Sequence, residues 1–313
     1  MARIKTPVLF PPTVFNVYKP VGITSSDVIY HFKKNLPQGF GKIGHFGTLD
    51  PFAEGVLLVG IAGAARLSDY VHRELPKTYR AIGILGQKTS TGDLTVSETE
   101  VIYDLEIEKL KDLKFSDLES VLSSFCGIYQ QVPPQYSAVK HKGKALYEYA
   151  RKGVEIIKDP VEREIFSIKL LRFDFPEVEF EVTVSSGTYI RTLFENIAEK
   201  LHTYGVLKSL KRVSVGHVHI EKSLLKENWP KKESCFNLET YSLPLKSLLP
   251  YRLVELNEDE SIRIKNGNPV KIDLEDGFYW GVDSEKNLLC LGKVEDSIFK
   301  ISINFNPPYA KFK

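Results

Sequence analysis

Hydrophobic and polar positions along the first third of the chain predict both strands and a helix. The stretch 77–85 (KTYRAIGIL) alternates as a half-buried strand does, and 55–61 (GVLLVGI) is a continuous apolar run bounded by glycine, typical of a buried strand. The stretch 24–36 (TSSDVIYHFKKNL) instead has apolar residues at helical spacing after Thr24, a favourable N-cap residue. Strands and helices therefore mix from the start of the chain.

The middle of the chain contains two longer alternating stretches, 163–175 (REIFSIKLLRFDF) and 177–185 (EVEFEVTVS), which predict a pair of strands. The following SSGTYIRTLFENIAEKL predicts the end of a strand that turns into a helix, with Tyr189 and Arg191 on one face of the strand. Regular β–α–β repeats do not occur. This order predicts an α+β protein with a large mixed, mainly antiparallel sheet flanked by helices and loops.

Two prolines among leucines in 243–261 (LPLKSLLPYRLVELNEDES) predict a domain boundary. We place a large domain at 1–248 and a small one at 249–313. After the boundary, Gly, Asn and Asp turns separate four short stretches that predict strands: 262–272, 277–283, 287–294 and 298–305. A small β-barrel of about sixty residues is expected there, a size at which many domains fold alone.

The composition is that of an ordinary globular protein, with 313 residues of which 42% are apolar and 26% charged. No apolar run is long enough to cross a bilayer, and the first residues lack the apolar region of a secretory signal. We therefore expect a cytoplasmic protein without membrane contact. The three scattered cysteines, Cys126, Cys235 and Cys290, form no CxxC pair and predict neither a disulfide framework nor a zinc site.

The formal net charge is only +2, but basic residues cluster locally. Within 140–152, a single acid, Glu148, stands among five basic residues: Lys140, Lys142, Lys144, Arg151 and Lys152. Such a distribution fits a protein that meets a polyanion on one face, although solvated lysines are the commoner explanation of any single cluster.

The stretch 44–55 (GHFGTLDPFAEG) places one carboxylate, Asp50, where the backbone is tightly constrained. Pro51 disfavours the helical region for the residue before it, and the glycines permit positive φ. The ordinary explanation is a surface turn in which Asp50 bonds to its own backbone. The alternative is a carboxylate held still so that it can attack or deprotonate a substrate.

Other residues admit the same two interpretations. Tyr79 lies in a predicted strand, where tyrosine is most often a packing residue, and Arg191 can be an ordinary surface guanidinium. His217 and His219 have strand spacing but no third ligand nearby, so no metal site is predicted. Walker and Rossmann motifs do not occur, and no cofactor is implied.

Five segments together resemble the TruB family of RNA pseudouridine synthases over nearly the whole chain and in the right order: GHFGTLDPFAEGVLLVGI, YKPVGITSSDV, KTYRAIGILGQKTSTGD, QVPPQYSAVKHKGKALYEYARKG and SSGTYIRTL. The combination of GTLDP with GTYIR is highly specific. The resemblance implies the pseudouridine synthase fold, a C-terminal PUA-like RNA-binding barrel, and isomerisation of the TΨC-loop uridine (U55) of transfer RNA. The reaction requires no cofactor, no protein partner is implied, and nothing in the sequence demands more than a monomer.

The resemblance also assigns residues. Asp50 matches the catalytic aspartate, Tyr79 a tyrosine that stacks on the target base and is a candidate proton acceptor, and Arg191 the arginine paired with the aspartate. The substrate-binding assignments are Tyr189 in the base pocket, His45 in the gap left by the flipped nucleotide, Asp93 near the cleft and Leu210 at the substrate. Structural support is assigned to Lys19, Pro20, Gly47, Pro51 and Gly187.

An arm at 130–153 is expected to grip the phosphate backbone through Lys140, Lys142 and Lys144. Two departures from the family pattern concern positions outside the chemistry. Asn196 and Ala198 stand where the family has an Asp-Ile-Gly segment, and the approach to Leu210-Lys211-Arg212 lacks the usual glycines.

A guanidinium beside Asp50 should lower the pKa of the carboxyl, offsetting burial, and a bidentate pair would fix its direction. Two other functions remain open on sequence grounds. One is an RNA-binding or tRNA-folding protein that needs no catalysis. The other is a glycosidase that releases uracil, although glycosidases usually need two carboxylates.

Overall fold

The protein is described by a computed structural model over residues 10–137, 139–232 and 236–305. Cys235 lies outside these residues, as do Ala138 of the predicted arm and the ends of the predicted domains, 1–9 and 306–313.

Nineteen strands occur in the described residues. They are β1 Thr13–Lys19, β2 Ile43–His45, β3 Glu54–Ile61, β4 Lys77–Leu85, β5 Gln87–Lys88, β6 Ile102–Tyr103, β7 Gly127–Gln131, β8 Lys140–His141, β9 Lys144–Ala145, β10 Val161–Asp174, β11 Glu177–Val184, β12 Gly205–Val215, β13 Val218–His219, β14 Ser242–Leu243, β15 Arg252–Glu255, β16 Val270–Lys271, β17 Gly277–Val282, β18 Leu288–Glu295 and β19 Ile298–Asn304.

The same residues form eight α-helices. They are α1 Ser25–Asn35, α2 Ser68–Glu74, α3 Phe115–Ser123, α4 Leu146–Ala150, α5 Ile190–Lys200, α6 Leu238–Tyr241, α7 Leu245–Leu248 and α8 Glu258–Lys265. Helix α1 begins as predicted, because the Thr24 side chain accepts from Asp27 N and the Asp27 carboxylate accepts from Thr24 N.

The large sheet has the order β14-β1-β3-β12-β4-β11-β10-β7, with β2 paired to β3 and β13 paired to β12. Its named strands pair antiparallel except β3 and β12, which run parallel. Strand β4 alternates buried and half-buried or exposed positions because one side of the sheet carries the main core. The predicted α+β class with a mixed, mainly antiparallel sheet is confirmed.

Helices α3 and α5 cover one face of β4, β10, β11 and β12 and bury the main core with them. A second core joins the large sheet to the C-terminal part of the chain, since Phe46 and Val56 belong to the same buried cluster as Trp280 and Phe305. The two sheets are therefore packed together and not merely linked by the chain.

The C-terminal residues form a five-stranded sheet of order β15-β17-β18-β19-β16, in agreement with the expected small PUA-like barrel. One predicted strand there is wrong. The segment Glu258–Lys265 is helix α8, because Asn257 caps it, acids occupy its first turn and basic residues its last. Only Val270–Lys271 of the predicted 262–272 strand is extended in a sheet.

The large sheet takes its strands from residues up to Leu243, and the small sheet begins at Arg252. The division at 248/249 stays a prediction. In the part of the chain that the structure describes, no helix is both long and apolar enough to cross a membrane.

Candidate active site

The Asp50 loop, defined as residues 44–55, is anchored by its apolar residues on both sides of Asp50. Phe46 is fully buried in the core shared with the small sheet. Leu49 and Phe52 are buried in the main core beside Asp50. Asp50 keeps a third of its side chain exposed. The loop therefore presents a carboxylate on a backbone fixed by two cores.

Backbone hydrogen bonds fix the loop further. Gly47 has φ +103°, a region that favours glycine, and its carbonyl accepts a hydrogen bond from Arg212 Nη2 at 3.0 Å. The Pro51 carbonyl accepts from Gly22 N at 2.8 Å. The Ser25 hydroxyl accepts from Leu49 N at 2.9 Å and donates to the Leu49 carbonyl at 3.2 Å. Helix α1 is thus tied directly to the residue before Asp50.

Arg191 and Asp50 form an ion pair, with 3.0 Å between Arg191 Nε and Asp50 Oδ2. The expectation that Arg191 lies beside Asp50 agrees with this distance, but the expected bidentate geometry is wrong. The other two guanidinium nitrogens are occupied, because Nη1 donates to the Thr91 carbonyl and Nη2 donates to the Tyr136 carbonyl at 3.0 Å. Two backbone carbonyls therefore set the direction of the guanidinium.

Asp93 lies on the far side of the same guanidinium, with 3.8 Å between its Oδ2 and Arg191 Nη1. Its Oδ1 accepts from Thr95 N at 3.0 Å and from the Thr91 hydroxyl at 3.1 Å. Asp93 is 5% exposed and does not line the cavity beside Asp50. Its assignment to substrate binding stays a prediction; its side chain contacts Arg191 and its own loop, and its backbone forms a β-bridge with Leu207 of β12.

Tyr189 and Arg191 do not share a strand face, contrary to the sequence prediction. Strand β11 ends at Val184, Tyr189 is the N-cap of α5, and Arg191 lies in the first turn of that helix. Gln131 holds the cap from β7, since its side chain accepts from Tyr189 N at 2.8 Å and donates to the Tyr189 carbonyl at 2.9 Å. The turn, which includes Gly187 at φ +83°, directs both side chains to one cavity.

A cavity of about 220 Å³ lies beside Asp50. The predicted site residues that line it are Gly47, Asp50, Tyr79, Gly187, Tyr189, Arg191 and Leu210. Tyr79 is 9% exposed and projects from β4, and Leu210 projects from the neighbouring β12. An aromatic ring, an aliphatic side chain and a carboxylate thus meet in one recess, which suits a flat base joined to a sugar.

Burial raises the pKa of Asp50, and Arg191 opposes that rise. Nearby Asp93 adds to the rise because two carboxylates repel. The lowering effect of Arg191 is thus present as expected, but it does not offset burial. Proton uptake by Asp50 therefore begins at a higher pH than for an ordinary aspartate.

Several predicted residues lie outside the cavity wall. His45 lies at the end of β2, where burial lowers its pKa and where Nδ1 has no hydrogen-bond partner among the residues that the structure describes. Lys19 is fully buried at the end of β1 and donates to the carbonyls of Pro20 at 2.9 Å and Ile23 at 2.7 Å. Burial lowers the pKa of Lys19 to about 8. Through these hydrogen bonds Lys19 holds the turn that lies next to the Asp50 loop, in agreement with a structural role.

The predicted arm contains a two-stranded hairpin, β8 and β9, followed by helix α4. Lys140, Lys142 and Lys144 are all exposed on this hairpin. None of the three lines the cavity. Leu146 is fully buried and anchors the segment that follows the hairpin.

Sequence reasoning missed seven polar residues of the cavity wall: Thr48, His72, Lys77, Ser137, Ser186, Thr188 and Arg212. Lys77 is 3% exposed and donates to the Leu75 carbonyl and to the Ser186 hydroxyl. Burial lowers its pKa to about 7. The sequence does contain a signal for Lys77. It lies two residues before Tyr79, at a position where the alternation of the strand predicts an inward-facing side chain.

The departures from the family pattern have local partners. Asn196 accepts from the Tyr129 hydroxyl and donates to Glu199 at 2.8 Å. Ala198 is fully buried in the main core where α5 meets Gly205. Neither residue lines the cavity.

Comparisons with known proteins give a consistent result. Residues 33–190 match the sequence model described as TruB family pseudouridylate synthase (N terminal domain). The chain is 38% identical to a protein named tRNA pseudouridine synthase B from Thermosipho melanesiensis, over 89% of this chain and 88% of that protein. It is 35% identical to a protein of the same name from Clostridium kluyveri, over 92% of this chain and 97% of that protein.

Solved structures agree at the level of the fold. The chain aligns with one in a Cbf5–Nop10–Gar1 complex with a TM-score of 0.68 and 22% identity, over 94% of this chain and 85% of that chain. A chain of an H/ACA RNP bound to a substrate RNA gives a TM-score of 0.67 and 20% identity, over 94% and 85%. With the sequence matches over nearly its whole length, the chain belongs to the TruB family of pseudouridylate synthases.

Proposed function

We propose that this protein converts the uridine of the TΨC loop of transfer RNA to pseudouridine, with Asp50 as the catalytic carboxylate. The observation that carries the proposal is the Asp50–Arg191 ion pair of 3.0 Å at a cavity lined by Tyr79. The relatives named tRNA pseudouridine synthase B, similar over about nine-tenths of the chain, support transfer RNA as the substrate.

The reaction breaks the bond between uracil N1 and sugar C1′ and makes a new bond between C5 and C1′. One carboxylate at the sugar suffices, either by adding to C1′ or by removing the C2′ proton. The cavity suits both routes, because Asp50 is partly exposed at its wall while Arg191 holds it from behind. A base must also take the C5 proton, and the hydroxyl of Tyr79 on the cavity wall is the candidate.

The uridine must leave its stack to reach Asp50, which costs roughly a few kcal/mol. Tyr79 offers its ring to the flipped base, and His45 is assigned to the gap that the base leaves. The exposed lysines of the arm at 130–153 bind phosphates and position the loop without reading sequence. Residues 249–313 form a second RNA-binding domain in this proposal.

The proposal takes the protein to act in the cytoplasm as a monomer. Light scattering after size-exclusion chromatography, with and without transfer RNA, measures the stoichiometry. One protein per transfer RNA is expected, and a stable dimer at working concentration would require revision of this part alone.

Incubation with an unmodified transfer RNA transcript, followed by mapping of the carbodiimide adduct of pseudouridine, tests the function. One new pseudouridine in the TΨC loop is expected. A transcript with that uridine replaced by cytidine is the control and should give none. Binding without product would favour an RNA-binding or tRNA-folding protein, and free uracil would favour a glycosidase.

A further inference from the structure

The cavity is lined by two guanidinium groups that differ in how their charge is balanced. Arg191 has Asp50 at 3.0 Å and Asp93 at 3.8 Å. Arg212, on β12, is 1% exposed and lines the same cavity. In the described part of the chain, Arg212 has no carboxylate oxygen within ion-pair distance. A buried cation without an acid partner is costly, so its retention calls for a compensating role.

Arg212 is held in place by neutral groups. Its Nε donates to the Val56 carbonyl at 2.7 Å, and its Nη2 donates to the Gly47 carbonyl at 3.0 Å. Its Nη1 lies 3.5 Å from the Tyr79 hydroxyl, at the limit of a hydrogen bond. Among the described residues, one edge of the guanidinium therefore has only a weak partner, and that edge is next to Tyr79 on the cavity wall.

Arg212 also keeps its positive charge, whereas its two basic neighbours in the cavity wall lose theirs more easily. Burial lowers the pKa of Lys77 to about 7, and burial lowers the pKa of His72 as well. The charge of Arg212 contributes to both shifts. These two neighbours lose their protons readily, whereas a guanidinium keeps its charge throughout the physiological range. The wall facing Asp50 and Arg191 therefore carries one fixed, uncompensated positive charge.

We propose that Arg212 is a further catalytic residue, which stabilises the negative charge on the uracil while it is detached from the sugar. This inference rests on the proposed function. When the N1–C1′ bond breaks, its electron pair leaves with N1 and is delocalised onto O2 and O4. The same electrons form the C5–C1′ bond when the turned base is rejoined. A fixed cation beside the base lowers the energy of that anion without having to reorganise.

Three variants test the role of the charge. Arg212→Met should lower the single-turnover rate by about 100-fold or more, the loss typical of a removed anion-stabilising donor. Arg212→Lys keeps the positive charge but not the planar set of guanidinium donors, and its single-turnover rate should fall less. Lys211→Met is the matched control, because Lys211 is the adjacent residue, is 44% exposed and pairs with Glu54 on the other face of the sheet. The control should keep the parent rate, and binding of transfer RNA by all three should be near that of the parent.

A modified substrate separates stabilisation of the anion from support of the Asp50 loop. Fluorine at C5 withdraws electrons and stabilises the detached uracil anion. Cleavage of the N1–C1′ bond in a transcript with 5-fluorouridine in the TΨC loop should therefore depend less on Arg212. The cleavage of the N1–C1′ bond is measured. The rate deficit of Arg212→Met relative to the parent should shrink by about tenfold or more on this substrate, with a partial effect in Arg212→Lys.

Equal deficits on the two substrates would overturn the inference and leave Arg212 as a support for Gly47 and Val56. If Arg212→Met does not fold, as judged by circular dichroism and thermal unfolding, the same comparison is made with Arg212→Lys. Pseudouridine formation by the parent protein tests the proposed function independently of the role of Arg212. If it makes no pseudouridine the function fails, and if it does, only the ratio of deficits bears on Arg212.

Discussion

At the scale of single residues, opposing effects of the surroundings set the pKa of Asp50. Burial and Asp93 raise the pKa of its carboxyl, while Arg191 and Lys19 lower it. Either proposed route needs the ionised carboxylate. Activity should therefore be lost as the pH falls through a pKa that lies above the usual value for aspartate, which is about 3.9.

Asp93→Asn should move this acid limb to lower pH, because the substitution removes a neighbouring negative charge that raises the pKa of Asp50. Single-turnover rates across the acid range measure the limb. Glu179→Gln removes the same charge from the opposite face of the sheet and should leave the limb in place. A limb that moves to higher pH in Asp93→Asn would contradict this electrostatic account.

Residue types and motifs were sufficient to identify Asp50, Tyr79 and Arg191 as neighbours, but not the wall opposite them. Arg212 binds the Gly47 carbonyl across 165 positions of sequence, and Lys77 binds Ser186 across 109. The first contact follows from the pairing of β12 with β3, and the second from the pairing of β11 with β4, neither of which local pattern specifies.

At the scale of elements, the start of α1 controls the backbone of the Asp50 loop. Ser25→Ala should leave the buried Leu49 N–H without a partner, which costs about 1–3 kcal/mol and loosens the backbone next to Asp50. We expect a lower turnover rate together with reduced thermal stability. Turnover with saturating transfer RNA and the unfolding temperature are the two measurements.

Thr24→Ala is the control for that prediction, because it removes the exposed N-cap of the same helix. It should cost about 1 kcal/mol in stability and leave turnover near the parent value. If both variants lose turnover equally, general weakening of α1 explains the effect and the specific role of Ser25 fails.

The arm hairpin carries a prediction about salt. Alanine at Lys140, Lys142 and Lys144 together should weaken binding of transfer RNA and reduce the slope of log affinity against log salt by about 0.7–0.9 for each phosphate that is no longer neutralised. Binding isotherms at several salt concentrations measure the slope. Alanine at Lys109 and Lys111, which pair with Glu106 and Glu108, is the control. An unchanged slope in the triple variant would remove the arm from the RNA interface.

Elements whose apolar periodicity reflects one buried face could be predicted from the sequence. Elements whose type or limits depend on capping and turn residues could not. Strand β4 spans Lys77–Leu85, the predicted stretch, because its alternation reflects one buried face. Helix α8 was missed because IRIK alternates like a strand, while the signals that decide it are the Asn257 cap and Glu260 in the first turn. The start of α5 was placed too late because the GTY turn ends the strand before Tyr189.

At the scale of the whole molecule, the small sheet and the Asp50 loop share a core. Trp280 is fully buried in the same cluster as Phe46, the residue directly before Gly47, whose carbonyl accepts from Arg212. The C-terminal sheet thus supports the site in addition to any role in binding RNA. This coupling joins residues far apart in sequence and could not be predicted from local pattern.

Trp280→Ala should destabilise the protein by about 3–5 kcal/mol, because it leaves a large cavity in this shared core. The free energy of unfolding from urea denaturation measures the change. Turnover should fall as well, since Phe46 loses support. Leu253→Ala, at a position 53% exposed on the same small sheet, is the control and should change the stability little. Reduced stability with unchanged turnover would show that the shared core does not position the loop.

The most direct test of the central claim compares the parent protein with Asp50→Asn on an unmodified transfer RNA transcript. Asparagine keeps the size of the side chain and removes the carboxylate that Arg191 holds at 3.0 Å. We expect Asp50→Asn to bind the transcript with near-parent affinity and to form no pseudouridine in the TΨC loop. Formation of pseudouridine by Asp50→Asn at a rate near that of the parent would contradict the account.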